Sequence, residues 1–247
     1  MRVLFLIPGG AEAQLQALPM AAALAEGVSA QLQVACPAAM APLWKLLPAV
    51  EKVLPFGFDA SVSLADWTNL LGCVREPDFQ ACINLASSWR FDLLLGLSHI
   101  PVRVSSKGLE AFLTPLGINA KPTNYRLKLP PKALADAQAQ FPEGNGPLLL
   151  LAPSKDNNDW PQSNWQDLQN HVQKQLPEAR IHRLSTTNII EQAAQVASAD
   201  VLVSNNPAVT LLADLTGITL VDLDHLRGEQ PLNALTPTAV LKALGMA

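Results

Sequence analysis

Charge is scarce in this chain. Asp, Glu, Lys and Arg make up only 15% of its 247 residues, so most surface polarity has to come from Gln, Asn, Ser and Thr rather than from ion pairs. The basic residues are the fewer, 17 against 21 acidic for a net charge of −4, and they gather into no dense run, which argues against a nucleic-acid partner. Cysteine is sparse as well. Cys36, Cys73 and Cys82 have no CxxC or Cys/His ligand spacing, and an odd number cannot all pair within one chain, so reduced thiols and a cytoplasmic setting are expected. The histidines, His99, His171, His182 and His225, lack the partner spacing of a triad or a metal site, and neither a metal nor an organic cofactor is expected. Long apolar runs are missing too. The first covers only residues 3–7 before Pro8 and Gly9, too short for a secretory core or a membrane span, so no targeting signal or transmembrane segment is expected. The apolar stretch 15–24 is broken by Gln16 and Pro19 and lacks the basic face of a membrane-surface helix.

What is present is apolar: 49% of the residues, enough to bury a sizeable core. Strand-length apolar runs alternate with helical patterns, as in βα units that build a parallel sheet. Strands are expected near 3–7, 30–35, 50–55, 80–85 and 101–105, and helices near 14–26, 38–46, 63–75 and 90–98. From Ile118 to Gly146 turn formers dominate, around one short helix in ALADAQAQ, and this is the best domain boundary. A second series follows, with strands near 148–152, 180–184, 200–204 and 218–222 and helices near 163–176, 187–197 and 207–216. Expected caps are Ser163 or Asn164, then Thr186 or Thr187, with Pro207 in the first turn of the third helix and Thr236 before the last. The expected organisation is an α/β N-terminal Rossmann-like domain (1–125), a linker (126–146), a C-terminal Rossmann-like domain (147–235) and a C-terminal helix (236–247).

Ligands of open α/β sheets bind at the carboxyl ends of the strands, so two such domains are expected to face each other across a cleft lined by three corners. The first is Pro8-Gly9-Gly10-Ala11-Glu12, where glycines let backbone N–H groups approach an anion and the helix start adds about half a positive charge. The second is Ala152-Pro153-Ser154-Lys155, leading to Asn158-Asp159-Trp160-Pro161. The third is Ser204-Asn205-Asn206-Pro207-Ala208. Asp222 and Asp224, ending the strand TLVDLD, reach the same side, where a carboxylate suits ribose or sugar hydroxyls. Each candidate has a plainer role open to it. Gly9-Gly10 also suits a tight strand-to-helix turn, Glu12 a first-turn carboxylate on the helix dipole, and Asn205-Asn206 and the aspartates simple caps. Lys155 also suits a solvated surface, and Trp67, Trp89, Trp160 and Trp165 suit packing rather than sugar platforms.

The stretches MRVLFLIPGGAEAQLQALP, SLADWTNLLGCVRE, IPVRV, NDWPQSNWQDL and SNNPAVTLLADLTGITLVDL together resemble glycosyltransferase family 9, the ADP-heptose:lipopolysaccharide heptosyltransferases, in their cyanobacterial form. The resemblance covers most of the chain. It implies a GT-B architecture, with a glycolipid acceptor on the N-terminal domain and a nucleotide sugar mainly on the C-terminal one. It also implies a cytoplasmic protein at the inner face of the membrane.

No motif of that family is intact, however. The family's first corner carries an aspartate taken to deprotonate the acceptor. With Leu18-Pro19 as anchor, that position is Ala13, and the only carboxylate, Glu12, sits one residue earlier and so turned by roughly 100° about the helix axis. A base must come within about 3 Å of the proton it removes, which Glu12 meets only in a rebuilt turn. The donor corner, Asp-Ser/Thr-Gly/Ala-Pro-Met-His in the family, reads Asn206-Pro207-Ala208-Val209-Thr210-Leu211 here. Proline also removes a backbone N–H from that helix start. The family's lysine corresponds to Asn158, for which Lys155 is a partial substitute. Three functions follow as expectations: a sugar transferase, a degenerate binding or regulatory relative, and an assembly protein using the scaffold for contacts with a partner.

Overall fold

The computed structural model describes residues 1–58, 62–75, 78–105, 117, 125–154 and 159–246. The chain divides into two compact units, Met1–Lys128 and Leu129–Ala247, each with its own parallel sheet.

The first unit runs β1 (Arg2–Leu6), α1 (Ala11–Gly27), β2 (Gln31–Cys36), α2 (Ala41–Trp44), β3 (Val50–Pro55), α3 (Leu64–Val74), β4 (Ala81–Asn84), α4 (Trp89–Gly96) and β5 (Val102–Ser105). Its strands pair in the order β3-β2-β1-β4-β5. Residues 3–6 of β1 are fully buried, as an all-apolar central strand of a parallel sheet requires. Sequence order reverses between β1 and β4, so the crevice of this sheet lies where the carboxyl ends of those two strands part. On one face of the sheet Leu4, Leu6 and Cys82 pack under Phe91 and Leu94 of α4 and Leu70 of α3.

The helix expected over 38–46 is shorter and tighter. Residues Ala38–Met40 form a 3₁₀ turn, and a single α-turn follows as α2. Pro42 has no N–H to give back to the preceding turn, which prevents one continuous helix from forming there.

The second unit begins with α5 (Pro131–Gln138) and continues β6 (Leu148–Ala152), α6 (Gln162–Gln175), β7 (Arg180–Arg183), α7 (Ile189–Ala197), β8 (Val201–Ser204), α8 (Pro207–Thr216), β9 (Thr219–Asp222), α9 (Leu223–Arg227) and α10 (Pro237–Ala243). The strands pair in the order β7-β6-β8-β9, with the reversal between β6 and β8. The loop after α5 is tied to α7, where Gln140 donates to Glu191 Oε1 at 3.0 Å and accepts from Gln195 at 2.6 Å. The core of this unit joins Leu149 and Leu151 of the sheet to Trp165 and Leu168 of α6 and Val240 of α10.

Helix starts differ from expectation at two places. α6 has no side-chain cap and begins after Pro161, and α7 is capped by Asn188 rather than by Thr186 or Thr187. Thr236 caps α10 and Pro207 opens α8, as anticipated. The short helix α9 follows β9 without a loop and is too brief to leave a periodic signature. Among the described residues no helix is long and apolar enough to cross a membrane.

Candidate functional site

In the first unit the sequence runs from β1 into a turn with an unusual backbone. Gly9 has φ +90°, a conformation that disfavours any residue with a Cβ, and a Cβ there would come within 3.0 Å of Ala13 Cβ. Gly10 occupies the cap position of α1 with no side chain to satisfy the first amides. The support for this turn comes from a residue outside the three corners expected from the sequence. Gln14 is fully buried, and its Nε2 donates to the carbonyls of Ile7, Pro8 and Gly9 at 3.0, 3.2 and 3.2 Å. Its Oε1 accepts from the indole of buried Trp44 at 2.7 Å. One amide thus fastens the corner to α2. The signal in the sequence was a polar residue on the apolar stripe of α1, beside Leu15, Ala17, Leu18 and Ala21.

Glu12 is exposed on the first turn of α1, and its Oε1 accepts from Gln16 Nε2 at 3.2 Å, one helical turn on. That is the surface i,i+4 arrangement of a helical carboxylate. Across the crevice, Asn84 ends β4 in register with Leu6 and is buried. Its Oδ1 accepts from Ala86 N at 3.0 Å, while its Nδ2 is a buried donor with no partner among the described residues.

In the second unit the expected corners come together at one edge. Ala152, Ser204 and Asp222 lie side by side in register at the carboxyl ends of β6, β8 and β9. Ser204 Oγ donates to Ala152 O at 3.0 Å and accepts from Asn206 N at 3.0 Å. Buried Asn205 accepts from Ser154 N at 2.8 Å, so its side chain bridges the two loops that flank the sheet's crevice. Lys155 and Asn158, also expected here, lie outside the described residues.

The helix start at this edge is already occupied. Asn206 Oδ1 accepts from Ala208 N at 3.1 Å and Val209 N at 3.4 Å, and Pro207 has no N–H to offer. Asp222 does the same for α9, accepting from Asp224 N at 2.8 Å and His225 N at 3.3 Å. Asp224 is paired in turn with Arg227 Nε at 2.7 Å. In this structure Asp222 therefore acts as a local cap and Asp224 as an ion-pair partner. Of the tryptophans, Trp160 and Trp165 are buried edge to face at 5.1 Å, and Trp67 packs on Phe91 at 4.9 Å. Trp89 departs from the expected packing role: it is 68% exposed, because the buried stripe of α4 is Phe91, Leu94 and Leu95. Among the described residues no cluster of His, Cys, Asp and Glu could hold a metal ion.

Two parallel sheets flanked by helices, each with its switch-point crevice, invite comparison with solved folds. The chain superposes on Escherichia coli ADP-heptose lps heptosyltransferase II with a TM-score of 0.78 at 15% identity, over 99% of this chain and 98% of that one. The fold is that of a GT-B glycosyltransferase. A glycosyltransferase of family 9 from Veillonella parvula gives a TM-score of 0.81 at 10% identity, over 99% and 96% of the two chains. An E. coli heptosyltransferase solved with ADP-2-deoxy-2-fluoro heptose gives 0.69 at 14% identity, over 99% of each chain. No protein-family model matches the sequence, and no curated protein matches it. At such low identity the likeness speaks for the fold alone.

Proposed function

We propose that this protein is a relative of the ADP-heptose:lipopolysaccharide heptosyltransferases in which sugar transfer is lost or residual: a pseudoenzyme that keeps a GT-B scaffold for binding or regulation. In this reading the first unit is the acceptor side, for a glycolipid, and the second the nucleotide-sugar side. Ser154, Lys155, Asn158, Asn205, Asn206, Ala208, Asp222 and Asp224 line the nucleotide edge. Gly9, Gly10 and Glu12 line the acceptor edge, with Glu12 the only carboxylate at that corner. The protein works in the cytoplasm, at the inner face of the membrane.

The observation that carries this reading is the state of the α8 start. A diphosphate needs free amides at a helix N-terminus, and here those of Ala208 and Val209 are taken by the Asn206 side chain while Pro207 supplies none. The acceptor corner supports the same conclusion, because Glu12 is a solvated carboxylate whose hydrogen bond goes to its own helix. Losing one preorganised group at such a site commonly costs about two or more orders of magnitude in rate, and several are absent together.

Calorimetric titration of the full chain with ADP, ADP-heptose and UDP-sugars tests the proposal. The expected result is binding far weaker than about 1 μM, which would correspond to about −8 kcal/mol, and no product with any donor. Micromolar binding of one donor followed by product formation overturns it.

A further inference from the structure

Among the described residues, the four most exposed large apolar side chains fall in one place, while Met1 and Val102, 40% and 38% exposed, lie apart from them. Leu64, Trp89, Leu93 and Leu97 are 86%, 68%, 58% and 55% exposed, and all four line one groove between α3 and α4, a concavity of about 500 Å³ floored by residues such as Trp67 and Leu71. Helical spacing explains the geometry. Trp89, Leu93 and the C-cap residue Leu97 recur every fourth residue along α4 and its end, Leu64, Trp67 and Leu71 every third or fourth along α3, and each series forms one stripe. α4 is therefore apolar on two sides, with Phe91, Leu94 and Leu95 buried against the sheet and a second stripe turned to the groove. A helix that only covered a sheet would carry polar residues there.

Among the described residues one charge lines the groove: Arg90. Its guanidinium has no counter-ion among the described residues. Asp66, on the facing helix, is held by Ser63 N and Oγ at 3.2 and 2.7 Å, and neither it nor Asp92 lines the groove. An apolar channel with a single unpaired cation at its wall is complementary to an alkyl chain that ends in one anionic group. The volume falls in the range that takes a small ligand. A bilayer surface would touch only the rim of a concavity. A second copy of the chain would need about 800 Å² of matching surface on each partner, whereas the four most exposed large apolar side chains here form only two narrow helical stripes.

We propose that the α3–α4 groove binds the alkyl chain of a single anionic amphiphile, with Arg90 holding its acidic group. This site is independent of whether the protein transfers sugar. The test is titration of the full chain with decanoate below its micellar concentration, read by tryptophan fluorescence and calorimetry, beside 1-decanol, acetate, and vesicles of phosphatidylcholine with phosphatidylglycerol.

Decanoate is expected to saturate one site per chain, acetate not to bind, and 1-decanol to bind more weakly. Leu93→Glu should weaken decanoate at least about tenfold, and Arg90→Gln roughly threefold to tenfold without changing 1-decanol. Both positions are exposed, so unchanged thermal melts are expected, and Leu64→Ser provides a second variant if either fails to fold. The proposal is overturned by an absence of saturation, or by decanoate binding that Leu93→Glu and Leu64→Ser leave intact. It is equally overturned by binding to vesicles without binding of decanoate, by dimerisation that Leu93→Glu abolishes while decanoate does not bind, or by an Arg90→Gln effect equal for decanoate and 1-decanol.

Discussion

At the scale of single residues, Gln14 is the best example of one side chain doing several jobs. Its amide satisfies three carbonyls of the glycine turn and the indole of Trp44, all of them buried or partly buried. Gln14→Leu keeps similar bulk but strands those partners, and is expected to cost about 3 kcal/mol in urea denaturation, with Trp44→Phe costing about 1 kcal/mol. Because both act through one hydrogen bond, the double variant should be less destabilised than the two single values added together, by about 0.5 kcal/mol or more. Additive values would mean that the indole and the amide are not coupled. Thiol accessibility belongs to the same scale. Burial pushes the Cys36 thiol up to about 12 and Cys82 higher still, while Cys73 is only partly buried. Native protein should therefore titrate one thiol quickly with Ellman's reagent, and Cys73→Ser should remove that signal.

At the scale of elements, most of the architecture was legible because parallel strands buried on both faces need unbroken apolar runs. VLFL and LLLLA announced β1 and β6 without ambiguity. Helix α8 was equally open to reading, since Pro207 and Gly217 bracket it and Gly217 takes the left-handed φ of +78° that ends a helix. What resisted reading depended on partners far away in sequence. Gln14 and Trp44 meet across thirty residues, Asn205 and Ser154 across fifty-one, and no local pattern encodes such pairs. The short α9 depends on Asp222 serving as strand end and cap at once. Two substitutions test these elements. Asn206→Ala should destabilise the second unit by about 1 kcal/mol in thermal unfolding through loss of the α8 cap, and Asn206→Asp should spare it. Gly146→Ala places a Cβ 1.9 Å from the carbonyl oxygen of Glu178, just ahead of β7, so the β6–β7 pairing must shift, at a cost of about 2 kcal/mol or more. A neutral Gly146→Ala would mean that the backbone at Glu178 gives way without disturbing the pairing.

At the scale of the whole molecule, the two units carry opposite pH liabilities. Burial holds His182 of the second unit below its ordinary 6.5, and hydrogen bonds from Thr186 and Gln140 hold Glu191 of the same unit below 4.5. Both groups bind fewer protons folded than unfolded, so stability is present above those values and is lost as pH falls, first below 6.5 and then below 4.5. Cys36 and Cys82 lie in the first unit and have raised values. They bind more protons folded than unfolded, so their contribution is present below pH 9 and is lost as pH rises above it. Calorimetric scans across pH should show the unfolding of the second unit moving down in acid and that of the first moving down in alkali. His182→Phe should flatten the acid limb between pH 6.5 and 4.5, and an unchanged limb would remove His182 from the account. The buried clamp on the glycine turn has a consequence for tolerance to substitution as well. Because an interior amide rather than a charged group at the mouth keeps this corner in shape, side chains at the mouth can be exchanged without unfastening the turn beneath them.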